Sequence, residues 1–149
     1  MTNLYHYADS GLPNVWLDGV ESHETPYGPA TTIPAMENLH SAIGMAIATS
    51  NHQMSGEEVR FLRIELDLSQ ARLAQLLDVT EQTVRRWEQG HTEIPGPAQR
   101  ALAGFYVEST SEDGCLRDLM LKFAETDREM RAIELRFQRN GDDWTPNAA

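Results

Sequence analysis

The stretch "DLSQARLAQLLDVTEQTVRRWEQG", residues 67–90, decides how the whole chain is read. Ser69 stands ahead of a run in which Leu73, Leu76 and Leu77 fall at helical intervals, where a serine hydroxyl serves as a helix cap. Thr80 stands in the same relation to a second run, with Val84 and Trp87 on one side and Gly90 at the end. Only Leu77-Asp78-Val79 separates the two runs, so the chain must turn sharply there. If Leu73, Leu77, Val84 and Trp87 hold the two helices together, then Glu81, Gln82, Arg85, Arg86 and Gln89 face outward.

Those outward side chains have the chemistry of base recognition. Gln forms paired hydrogen bonds with adenine N6 and N7, Arg does so with guanine O6 and N7, and Glu accepts from cytosine N4. Polar residues on the outside of a short helix are usually only solvated. Here the caps, the apolar stripe, the turn and the outward Gln and Arg coincide, at the spacing of a helix-turn-helix unit whose second helix lies in the major groove. The start of the first helix offers Ser69 and Gln70, with unpaired backbone N–H groups, to a phosphate.

Around this unit the pattern predicts further helices. Ser55 and Glu58 have capping-box spacing ahead of Val59, Leu62 and Leu66. Pro95 and Pro97 mark a later start, with Leu102, Phe105 and Tyr106 on its buried side. Met36, Leu39, Ile43 and Ile47 predict a leading helix. The first third is rich in Gly, Pro, Ser and Thr, with extended candidates at 4–7 and 14–17, and His23 between Glu21 and Glu24 reads as part of a solvated loop. Residues 115–130 read as a helix on Leu116, Leu119, Met120 and Phe123. Beyond it Ile133, Leu135 and Phe137 alternate ahead of Asn140-Gly141 and Trp144, which predicts a hairpin. The competing reading is a continuous helix, since Leu116, Phe123, Met130 and Phe137 are each seven apart. The expected architecture is mainly α: a domain of about five helices at 34–108, an extended segment at 1–33, and a helix plus hairpin at 109–149. The small β elements of both termini are expected to join in one sheet.

Composition narrows function. A chain of 149 residues, 40% hydrophobic and 23% charged, can bury one modest core. No apolar run reaches the roughly 20 residues that span a bilayer, and the N-terminus lacks the pattern of a signal peptide, so a cytoplasmic location is expected. Cys115 is the only cysteine, which excludes an intrachain disulfide. His6, His23, His40 and His52 have no usual zinc spacing, and no metal or cofactor is expected. Phosphate-loop, nucleophile-elbow and H-E-x-x-H patterns are absent, which argues against an enzyme.

The net charge of −11 is unevenly spread. Residues 1–54 hold five acids and no Lys or Arg, whereas residues 55–104 hold six arginines among eight acids. Exposed charges act over only about 8 to 10 Å at physiological salt, so a local arginine cluster can meet phosphates in an acidic protein.

"LSQARLAQLLDVTEQTVRRWEQG" resembles the Xre-type, lambda-repressor-like helix-turn-helix regulators, whose pattern runs L-S-Q, L-A, then a helix ending W-E-x-G. The resemblance covers roughly residues 57–106. It implies a phosphate contact for Gln70, base-facing positions for Glu81, Gln82, Thr83 and Arg86, and positions near the backbone for Thr80, Arg85 and Gln89. Asp78 stands where the turn commonly carries Gly, and Asp tolerates positive φ. A looser likeness, carried by "YHYADSGLPNVWL", "EQTVRRWEQG" and "IPGPAQRALAGFY", is to MqsA-type (YgiT-like) antitoxins. Their N-terminal zinc ribbon has two Cys-x-x-Cys pairs, and no cysteine stands there in this chain.

One recognition helix reads only a few base pairs, so a homodimer on palindromic double-stranded DNA is expected, acting as a repressor. The termini and the 115–130 helix are the expected dimer contacts, because Tyr5, Tyr7, Trp16, Phe137 and Trp144 are aromatics in segments too short to bury them alone. The alternatives are an antitoxin that also neutralises a partner toxin protein, and a protein-interaction module that keeps the fold without touching DNA.

Overall fold

A computed structural model describes residues 4–110 and 137–146. Five helices follow two short hairpins: α1 (Met36–Ala48), α2 (Gly56–Glu65), α3 (Gln70–Leu77), α4 (Glu81–Glu88) and α5 (Gly96–Ser109). The hairpins pair β1 (Tyr5–His6) with β2 (Trp16–Leu17) and β3 (Glu21–Thr25) with β4 (Gly28–Thr32). A third pairs β5 (Phe137–Asn140) with β6 (Asp143–Pro146).

Local chemistry sets the helix starts. At α2 the capping box is complete, since the Ser55 hydroxyl accepts from the Glu58 N–H at 3.2 Å and the Glu58 carboxylate accepts from the Ser55 N–H at 2.9 Å. Ser69 caps α3 through the Arg72 N–H at 3.0 Å, and Thr80 caps α4 through the Thr83 N–H at 3.2 Å. Asp78 closes α3 in the left-handed region, φ 56, and its N–H donates to the last carbonyls of the helix, so the turn survives without glycine.

One apolar cluster joins α2 to α5. Val59, Leu62, Leu73, Val84 and Leu102 are fully enclosed, with Trp87, Ile94 and Phe105 around them. Leu12 and Ile47 extend this cluster into the N-terminal segment and α1. Helix α1 lies against α5 at Gly44, where a Cβ would fall 2.2 Å from the Tyr106 ring, a separation no side chain allows.

The N-terminal segment is tied to the helices by a polar chain. The Tyr7 hydroxyl is 2.8 Å from His40 Nε2, and His40 Nδ1 is 2.9 Å from the Glu65 carboxylate. All three groups are satisfied when the phenol donates to Nε2 and Nδ1–H donates to Glu65. Tyr7 is thereby buried within its own chain, which corrects its assignment as a dimer contact. Trp16, stacked on His6 at 4.4 Å, and Trp144 remain largely exposed.

Three further expectations are corrected. Residues 21–32 form a regular hairpin where a solvated loop was expected, because the Thr25 hydroxyl closes the turn, accepting from the Tyr27 N–H and donating to the Gly28 carbonyl. Among the described residues the β elements of the two ends form separate two-stranded sheets and do not join. Phe137 lies in a strand, so it is not part of a continuous C-terminal helix, the competing reading. The hairpin itself is present, with Gly141-Asp142 as its loop, one residue beyond the expected Asn140-Gly141, and with Gly141 at positive φ. The helix expected at 115–130, and Cys115 with it, lie outside the described residues.

Candidate nucleic-acid interface

Helix α4 has two unlike sides. Val84 and Trp87 are buried against α2 and α3, whereas Glu81, Gln82, Arg85, Arg86 and Gln89 are exposed. Gln82, Arg86 and Gln89 lie one turn apart along the outer side, and no other described residue binds their side chains. Arg85 reaches back to Glu81 at 3.4 Å, an exposed i,i+4 pair of little strength that leaves most of the guanidinium donors open. Thr83 is half-buried, and its hydroxyl lies 2.8 Å from that of Thr80, so one hydroxyl proton is committed between them.

The other predicted contacts gather beside α4. Ser69, Gln70, Arg85 and Gln89 line one open concavity with Arg60, where α2, α3 and α4 meet. The Ser69 oxygen accepts the capping N–H, which leaves its own proton to donate. Gln70 is oriented by Glu88, since its Nε2 donates to that carboxylate at 3.0 Å and a second amide proton remains. Ser69, Gln70, Arg85 and Gln89 thus border α4, whose outer side carries Gln82 and Arg86.

What holds this face is a half-buried ionic network that sequence reasoning missed. Glu88 receives Arg63 Nη2 at 2.9 Å and Arg63 Nε at 3.2 Å, and takes Gln70 on its other oxygen. Arg63 Nη1 also donates to the Leu68 carbonyl at 2.9 Å. One carboxylate at the end of α4 thus ties α2 and α3 together, and Arg63 carries the link on to the Leu68 carbonyl. The signal was the Glu of the W-E-x-G pattern. Gly56 was missed as well: a Cβ there would stand 2.4 Å from the Trp87 carbonyl oxygen, so the start of α2 abuts the last turn of α4.

No helix among the described residues is long and apolar enough to cross a membrane. Comparison of the chain with curated proteins and with solved structures gives no match. Residues 59–105, from α2 into α5, match the family model described as Helix-turn-helix, and over that span the chain carries a helix-turn-helix domain, the architecture of DNA-binding regulators.

Proposed function

We propose that the protein is a homodimeric transcriptional repressor that reads a palindromic operator through α4. The observation that carries this reading is the divided character of α4: Trp87 and Val84 anchor one side, and Gln82, Arg86 and Gln89 project from the other with no partner among the described residues. In this reading Glu81, Gln82, Thr83 and Arg86 face base edges in the major groove. Ser69, Gln70, Thr80, Arg85 and Gln89 hold the flanking phosphates. With a net charge of −11, affinity for random DNA is weak, and selectivity rests on the base contacts.

The test is an anisotropy titration of the full chain with DNA taken from upstream of its own gene, against scrambled DNA. Arg86→Ala and Gln82→Ala are each expected to cost about 1 to 3 kcal/mol of specific binding, and Arg85→Ala to weaken binding to all sequences with a shallower salt dependence. Unchanged specific affinity in both Arg86→Ala and Gln82→Ala would overturn the base-reading assignment.

A further inference from the structure

The hairpin β3–β4 has no role in the DNA-binding reading. Among the described residues no third strand pairs with it, and it packs on no helix to any extent. Tyr27, in its loop, is completely exposed. An isolated two-stranded hairpin is marginal in water, so this one gains from a third strand.

Its register says which edge is open. The loop is Pro26-Tyr27, and the flanking pair Thr25 and Gly28 exchanges hydrogen bonds in a two-residue hairpin. Alternation then makes Glu24↔Pro29 and Ser22↔Thr31 the pairs whose backbone groups point away from each other. On the β4 side the outward groups belong to Pro29 and Thr31, and Pro29 has no N–H to give. On the β3 side Ser22 and Glu24 each present both a donor and an acceptor. The edge of β3 is therefore complete, and that of β4 lacks one donor.

Charge says what fits the edge. Glu21 and Glu24 are exposed on opposite faces of β3, and residues 1–54 contain no Lys or Arg to balance them. DNA is repelled by this segment, and a second copy would bring acid against acid. We infer that the free edge of β3 docks an extended segment of a cationic partner protein, which adds a third strand and sets Lys or Arg, three residues apart, beside Glu21 and Glu24. Backbone pairing along Ser22 and Glu24 supplies the hold, and the two acids supply the selection.

The test uses the full chain and a labelled peptide, Val-Lys-Thr-Val-Lys-Thr, with its Glu-for-Lys counterpart, in fluorescence anisotropy. The Lys peptide is expected to bind and the Glu peptide not. Ser22→Pro deletes an outward N–H without touching the hairpin's own ladder, and should weaken binding about tenfold, whereas Thr31→Pro on the β4 edge should leave it unchanged. Should Ser22→Pro disturb the fold, Glu21→Lys with Glu24→Lys decides, since the pair should exchange the preference to the Glu peptide. Equal binding of both peptides, no binding of either, or a charge-reversed protein that still prefers the Lys peptide would overturn the proposal. Concentration-dependent self-association in sedimentation that Ser22→Pro abolishes would overturn it in favour of a second copy.

Discussion

The helix-turn-helix body, α2 to α5, and the N-terminal third are built on opposite terms. In the body side chains specify the backbone: Ser55, Ser69 and Thr80 cap the three helices they precede, and a single core joins them. In the N-terminal third the backbone pairs with itself, and the side chains of β3 and β4 remain almost wholly in solvent. That third is held by a few plugs, Leu12 in the main core and Tyr7 against His40. The body also carries all the cations of residues 1–104, and the third none. The difference teaches that one part resists perturbation through dense mutual support, while the other depends on individual anchors.

The largest effect is expected where the body's support converges. Glu88→Ala leaves the half-buried Arg63 beside Leu68 with no carboxylate and frees Gln70, so urea unfolding should show a loss of about 2 to 4 kcal/mol. A loss below about 1 kcal/mol, the range of exposed pairs, would break the contrast, because the body would then not hang on this network. Gly56→Ala ranks next. Its Cβ meets backbone oxygens of Trp87 and Glu88, which no rotamer change can relieve, so α2 and α4 must separate. A cost of about 1 to 3 kcal/mol is expected, and, if the proposed function holds, weakened DNA binding because α4 shifts. Full stability in this variant would show that the contact between α2 and α4 is loose.

These two sites also show what the sequence made legible. The caps, the stripe of α4 and the turn at Asp78 were readable because each is a local rule satisfied within a few residues. Glu88 and Gly56 were not, because what makes them special comes from partners 25 and about 30 positions away, which no periodicity records. The hairpin at residues 21–32 escaped for another reason. Strands are recognised by alternation of buried and exposed residues, and a hairpin with both faces in water has none to show. Tyr7 was misjudged on the same ground: a short strand seemed unable to bury it, and α1 covers it instead. Of the candidate site, the outward residues of α4 were legible from helical spacing alone, whereas the way Gln70 is oriented through Glu88 required the third dimension.

The smallest effect sharpens the contrast from the other side. Tyr7→Phe removes one hydroxyl from the chain linking the N-terminal segment to His40 and Glu65, and should cost about 1 kcal/mol while leaving DNA affinity unchanged, since the phenol touches nothing on α4. It also has a signature in pH. Burial raises the Tyr7 phenol above its ordinary value, with Asp9, Glu65 and Tyr5 adding to the shift. Burial raises Tyr106 in the same direction, with Glu65 adding to it. A phenol whose folded pKa lies above its unfolded value keeps its proton longer in the native state. Its stabilisation is thus complete below about pH 10 and is lost as pH rises through the folded value. Chemical denaturation at about pH 8 and about pH 11 should therefore show an alkaline loss of stability that is smaller in Tyr7→Phe and smaller still in Tyr7→Phe with Tyr106→Phe. An alkaline limb identical in all three proteins would mean that neither phenol is protected by its packing, and the anchoring of the N-terminal third would have to lie in its apolar contacts, Leu12 and Val15 on the main core.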